Sequence, residues 1–270
     1  MPTLDTVVHD HLFCMFKGEP GTRKSTQALS FPLPQYWFST DQKMDALKLP
    51  ARKWGIDMKQ VNYDDYTDYG KLRIKLEQLQ VNCPFRTIIM DSITSEGDVI
   101  NRGTLKAKQG TKRQDGSDKG GMIGGIPVNS IEDYKAEASA FQEIIALLKD
   151  ISNFHKVNII LIAHVISARK LDDKAPITHF SRVIVTGGQT ISAKIPAYCS
   201  EVYHFNVEGE INVDQEGKYG LYTVHTGHDF ARTSLPLERR IIFNDRPIYD
   251  TYIKPAIDLS NKTAIPITKF

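Results

Sequence analysis

The stretch GEPGTRKST, residues 18–26, follows the apolar run HLFCMF at 11–16. Its spacing fits the phosphate-binding pattern G-x-x-x-x-G-K-[ST] at Gly18, Lys24 and Ser25, but Arg23 stands where the pattern has its second glycine. A buried strand entering a glycine-rich turn that opens a helix is the context such a loop requires. Backbone N–H groups along Gly18, Glu19, Pro20, Gly21, Thr22, Arg23 and Lys24, proline excepted, would wrap a β-phosphate. Lys24 would bridge the β- and γ-phosphates, the Ser25 hydroxyl would coordinate Mg²⁺, and Thr26 would lie near the α-phosphate. The competing reading is a glycine-proline turn ahead of a lysine-rich helix start. The position before the lysine begins the helix and is expected to need no positive φ, so a side chain larger than glycine fits there. Arg23 then either points to solvent or adds charge beside the phosphates.

Working outward, the apolar strand FRTIIMDS at 85–92 carries Asp91 at its end, where a phosphate-loop protein keeps the carboxylate that holds Mg²⁺ through water. The aromatic strand QYWFST at 35–40 leads to Asp41. A carboxylate at that strand end is placed to orient an attacking water, with Glu96 in DSITSEGD as its rival and a plain turn cap as the alternative role. His164 ends the strand IILIAH, where a polar side chain can sense the γ-phosphate and pass its presence to the segment that follows. A strand-end histidine without a role is the competing reading.

Between these stretches, residues 24–30 suit two helical turns before Pro32 and Pro34, and residues 58–64 suit a short strand. Residues 68–80 place Leu72, Leu76 and Leu79 at helical spacing, and residues 131–152 place Ala138, Phe141, Ile145, Leu148 and Ile151 on one stripe. Two long segments, 103–127 and 166–196, lack periodicity and are expected to be loops. The first holds Lys106, Lys108, Lys112, Arg113 and Lys119, and the second holds Arg169, Lys170, Arg182 and Lys194. Cations on glycine-rich loops can track a nucleic-acid backbone, although each alone is more ordinarily a solvated charge. Beyond residue 200, three strand-like runs joined by turns predict antiparallel hairpins. Arg232, Arg239 and Arg240 on that side either reach the nucleotide of an adjacent subunit or form surface salt bridges.

Strands alternating with helices, followed by hairpins, predict an α/β fold: a mainly parallel sheet with helices on both faces and an antiparallel C-terminal extension. The 270 residues suit one domain, with a core over about 11–207, a hairpin region over about 208–250 and a tail over 251–270. A net charge of +2 leaves any nucleic-acid signal to local patches. Cys14, Cys83 and Cys199 show no metal spacing and read as thiols in a reducing compartment. The opening MPTLDTVVHDHLF has no charged-then-apolar leader pattern, and no apolar run approaches membrane-spanning length. The expectation is a cytoplasmic protein with no membrane partner.

The order of these stretches resembles the RecA-like P-loop ATPases, and more narrowly the small phage-type members of recombination modules that promote single-strand annealing. GEPGTRKST, QYWFSTD, TIIMDSIT, IILIAHV, GGQTISAKIPAYCSEVYHF and DFARTSL carry the resemblance across about residues 11–245. It implies a RecA-like NTPase core using ATP and Mg²⁺ and binding single-stranded DNA through two central loops, here about 104–127 and 166–195. It also implies a ring or filament of identical subunits. Arg232 is the candidate for an arginine supplied in trans, a single-strand-binding protein is a candidate partner, and a phage-encoded chain would act in the host cytoplasm. Asp41 stands where recombinases have glutamate, and a shorter carboxylate predicts slow hydrolysis. Rival functions on the same core are a helicase-like motor or loader and a non-hydrolysing, nucleotide-gated DNA-binding protein; a small-molecule phosphotransferase comes last.

Overall fold

A computed structural model of the protein describes residues 8–108, 121–123, 126–128, 131–170, 178–183, 189–208, 217–227 and 229–262. In chain order the elements are β1 (Phe13–Gly18), α1 (Lys24–Ala28), β2 (Gln35–Ser39), α2 (Lys48–Lys53), β3 (Val61–Asp65), α3 (Tyr69–Val81), β4 (Thr87–Asp91) and α4 (Ile93–Lys108). They continue with β5 (Gly121–Ile123), β6 (Ile126–Val128), α5 (Ile131–His155), β7 (Asn158–Lys170), β8 (Thr178–Val183) and α6 (Gln189–Tyr198). The chain closes with β9 (Glu201–Glu208), β10 (Lys218–Tyr222), β11 (Arg240–Ile242) and a π-helical turn, Tyr249–Ile253, that runs into α7 (Lys254–Lys262).

The main sheet runs β11-β10-β9-β1-β7-β4-β2-β3, with β8 paired to β7. From β9 to β3 every neighbour is parallel, whereas β9-β10-β11 is antiparallel. Alternate side chains of the central strands leave the sheet on opposite faces, and both faces are covered. On one face Met15, Met90 and Leu161 pack with Leu72 and Leu76 of α3, Ile100 of α4 and Phe141 and Leu148 of α5. On the other, Phe16, Trp37, Ile89 and Ile160 pack with Ala28 of α1, Ala51 of α2, Ala256 of α7 and Phe243, which follows β11. Strands buried on both sides read as unbroken apolar runs, which is why the sequence marks them so clearly.

Several segments differ from expectation. Helix α4 extends through Lys108, where the sequence predicts a loop from residue 103. Gly97 and Gly103 each weaken a helix by about 1 kcal/mol relative to alanine, but Ile93, Val99 and Ile100 are buried, and tertiary packing overrides the propensity. Strand β7 runs on to Lys170 because β8 pairs with it antiparallel, from Val165↔Val183 to Lys170↔Thr178. Residues 166–170 and 178–183 therefore form paired strands rather than a loop. Helix α6 follows; Pro196 in its last turn has no N–H to donate to the preceding turn, and the helix ends two residues later. Strand β9 is parallel to β1 and belongs to the core. The expected tail contains α7, which buries Ala256, and the preceding turn buries Ile253.

Candidate active site

Register brings the site together before any side chain is considered. Gly18 pairs with His164, and Asp91 pairs with both Ser39 and Ile162. Strand β7 lies between the strand that delivers the loop and the strand that ends on Asp91. The loop, Asp91 and Asp41 thus gather at the C-terminal ends of β1, β4 and β2, where ligands of open α/β sheets bind; His164 does not end β7 but is the last residue of it paired in parallel with β1.

The loop is built on two glycines with separate reasons. A Cβ at Gly18 would lie 2.4 Å from the Phe205 carbonyl oxygen, so no side chain fits. Gly21 has φ +82°, a conformation that only glycine enters freely. The Thr22 hydroxyl donates to the Glu19 carbonyl at 2.8 Å and closes the turn. The buried Lys24 ammonium donates to the Gly18 carbonyl at 2.9 Å, the Glu19 carbonyl at 2.8 Å and Thr22 Oγ1 at 3.3 Å. Burial lowers its pKa to about 8, against the opposing pull of Asp91, Asp41 and Glu19. The first amides of α1, at Lys24, Ser25 and Thr26, have no intrahelical acceptor by the geometry of a helix start.

Arg23 departs from its sequence reading in its backbone. Its backbone does take a left-handed conformation, φ 65° and ψ 24°. Its side chain stays 29% exposed, stacked 3.7 Å from the centroid of the Tyr219 ring and paired with Asp245.

Asp91 is half-buried at the end of β4, beside the Ser25 hydroxyl. Burial raises its pKa to about 6, reinforced by the Asp41 charge and opposed by Ser25, His164 and Lys24. Asp41 sits in a polar cluster: Ser92 Oγ donates to its Oδ1 at 3.2 Å, Ser95 Oγ donates to the same oxygen, and His164 Nε2 is 3.6 Å from Oδ2. Burial works to raise the Asp41 pKa, but His164 and Ser95 outweigh it and hold the carboxyl at about 2. The backbone N–H of His164 donates to Thr94 Oγ1 at 2.9 Å, which ties β7 to the start of α4. Glu96, the rival to Asp41, is fully buried and neither carboxyl oxygen has a partner among the described residues. Burial pushes its pKa up to about 8, and a carboxyl with no exposure has no route to a water.

These groups fit a magnesium nucleoside triphosphate. Ser25 and Asp91 offer the hard oxygen ligands Mg²⁺ prefers. Lys24 is parked on neutral carbonyls and a hydroxyl, which phosphate oxygens would outcompete. His164 Nδ1 is buried without a hydrogen-bond partner among the described residues, as expected of a group awaiting a ligand.

The remaining candidates are dispersed. Lys106 and Lys108 fall in the last turn of α4; Arg169 and Lys170 end β7, Arg182 lies on β8, and the exposed Lys194 is on α6. Lys112, Arg113 and Lys119 lie outside the described residues. Arg232 donates to the Ala197 carbonyl at 3.3 Å and to the Cys199 carbonyl, so its guanidinium caps the end of α6 within its own chain. Sequence reasoning missed Ser92 and Ser95, the Arg23 contacts, and a buried group beside the loop. In that group Lys17 pairs in register with His204, whose Nε2 is 3.7 Å from Asp229 Oδ2. A lysine as the penultimate residue of an otherwise apolar strand was the available signal for it.

Comparison with known proteins bears on this geometry. No curated protein matches the chain. Among solved structures, a KaiC-like protein from the hyperthermophilic archaeon Pyrococcus horikoshii aligns at 12% identity with a TM-score of 0.43, covering 78% of this chain and 77% of that one. A likeness that slight carries no argument by itself. No helix among the described residues is long and apolar enough to cross a membrane. A family model described as an AAA domain matches residues 12–235, most of the chain and every element of the site. The chain belongs to this AAA-domain family and has the mainly parallel, RecA-like fold of a P-loop ATPase.

Proposed function

We propose that the protein binds Mg-ATP, hydrolyses it slowly, and uses the nucleotide to control binding of single-stranded DNA, acting as an oligomer in annealing or recombination. The observation that carries the nucleotide half is the convergence of Lys24, Ser25, Asp91, Asp41 and His164 at the C-terminal ends of β1, β4 and β2. Lys24 holds the β- and γ-phosphates, while Ser25 and Asp91 hold the metal. Bound Mg²⁺ would neutralise charge on the β- and γ-phosphates as the bond breaks. Asp41 orients the attacking water. With its pKa held at about 2, it is a poor proton acceptor near neutrality, so orientation rather than base strength is its contribution.

The DNA half is supported by the paired strands β7 and β8. They continue the strand that carries His164 and bear Arg169, Lys170 and Arg182. A ligand contact at His164 would act directly on the base of that hairpin. The weak base strength of Asp41 also favours a second reading, a nucleotide-gated DNA-binding protein with little turnover. ATP turnover with and without single-stranded DNA, at two salt concentrations, tests both. Stimulation that falls with salt is expected, because phosphate contacts displace counterions. Salt-indifferent stimulation would count against the cationic hairpin, and absent turnover with intact nucleotide-dependent DNA binding would favour gating.

A further inference from the structure

Arg23 is a left-handed residue at the hinge between the phosphate loop and α1, and the C-terminal extension holds it there. An L residue other than glycine pays to adopt φ 65°. Its guanidinium lies on the Tyr219 ring of β10, donates to the Asn244 carbonyl at 3.2 Å and pairs with the Asp245 carboxylate. Asp245 is fixed in turn: Lys53 Nζ is 2.7 Å from its Oδ2, and Trp54 Nε1 donates to its carbonyl at 2.9 Å.

The same segment follows α1 further. Gln27, fully buried, donates to the Arg246 carbonyl at 3.0 Å and accepts from the Ile248 N–H at 2.9 Å. The Tyr249 N–H donates to Ser30 Oγ at 3.2 Å. Residues 244–249 are therefore bonded at three successive points, to Arg23 before the short helix, Gln27 within it and Ser30 after it. An exposed ion pair alone is weak, but here it sits on an acceptor that the rest of the bracket already immobilises.

We propose that Tyr219 and Asp245 are positioning residues for nucleotide binding, forming a bracket that keeps Arg23 left-handed and the loop amides in their binding arrangement. The proposal rests on reading the loop as a nucleotide site. Without the bracket, Arg23 relaxes toward the right-handed region and the binding-competent fraction falls. The apparent dissociation constant then rises by the inverse of that fraction. The left-handed penalty sets the expected size at about 5- to 30-fold. Neither residue has to touch the nucleotide for this to happen, and the bracket couples the extension strands to the phosphate loop.

The test compares Asp245→Ala and Tyr219→Leu in two backgrounds, the native Arg23 and Arg23→Gly, since glycine adopts the left-handed conformation unaided. Two measurements are made: the Kd of a fluorescent ATP analogue with Mg²⁺, and amide hydrogen exchange across residues 19–25 without nucleotide. Each bracket variant is expected to weaken binding and speed loop exchange with Arg23 present, and to change neither in the Arg23→Gly background. Equal effects in both backgrounds would reduce the bracket to general structural support and overturn the proposal, as would no effect with Arg23 present. If the unaltered protein binds no nucleotide, the reading of the loop fails. The exchange data still decide whether the bracket controls the loop.

Discussion

His164 Nε2 lies 3.6 Å from Asp41 Oδ2, although the strands behind them, β7 and β2, are separated in the sheet by β4. The two side chains meet at the end of the strand that carries Asp91. In the proposed reading, the group that orients the water and the group that senses the γ-phosphate therefore act as one unit. Asp41→Asn should lower kcat by about 10²-fold with little change in KM, the scale of a mispositioned reactant. His164→Ala should lower kcat less, and the double variant should cost less than the sum of the two, because contacting residues are coupled. Steady-state kinetics on the four proteins decide this; strict additivity would separate the two residues.

In the proposed reading, Asp91 ties nucleotide binding to pH. Its raised pKa of about 6 means that it takes up a proton as the pH falls through that value and then no longer serves a metal. Mg²⁺-dependent nucleotide affinity should fall by up to about tenfold for each pH unit below the pKa and level off above it. A titration of a fluorescent analogue between about pH 5 and pH 8 reads this directly. A flat profile would exclude Asp91 as a metal-side group.

Glu96 contributes to stability with the opposite sign from an ordinary paired carboxylate. Its folded pKa of about 8 lies above the ordinary glutamate value of 4.5. Between those values the folded state holds a proton that the unfolded state lacks, so stability is greatest at or below the lower value and falls as pH rises through the window. Glu96→Gln removes the titration and should flatten that fall. At about 1.4 kcal/mol for each pH unit between the two values, the limiting gain above pH 8 is on the order of a few kcal/mol. Denaturant unfolding of both proteins at several pH values measures it. Because the carboxyl is shielded from water, ATP turnover should be retained, and its loss would return Glu96 to the catalytic group.

Much of this is legible in the sequence, and the omissions have physical causes. Gly18, Asp91 and His164 are readable because each closes an apolar run buried on both faces, and Lys24 because it keeps its spacing from Gly18. The partners of Asp41 are not, since Ser92 and Ser95 lie at a helix start whose glycines obscure its periodicity. The pairing of β7 with β8 is hidden for a different reason. It joins residues as far apart as 165 and 183, and polar sequence at a sheet margin resembles a loop. Arg23 is misleading because its left-handed backbone depends on Tyr219 and Asp245, about two hundred residues away.

The cations of the hairpin should contribute to DNA binding as phosphate contacts. Arg169→Ala, Lys170→Ala and Arg182→Ala should each weaken single-stranded DNA binding and reduce the dependence of log K on log salt by close to one contact's share, a slope change of about 0.7. Fluorescence anisotropy over a salt series tests this. An unchanged slope in all three would move the DNA site off the hairpin.

The central claim is that Lys24 and its loop bind a nucleoside triphosphate. Calorimetric titration of Mg-ATP into the native protein and into Lys24→Ala tests it most directly, with thermal unfolding as the control for folding. The account predicts saturable binding by the native protein and an affinity at least about tenfold weaker in the variant, the scale of a lost charge-assisted contact. Equal affinity in a folded Lys24→Ala protein would contradict it.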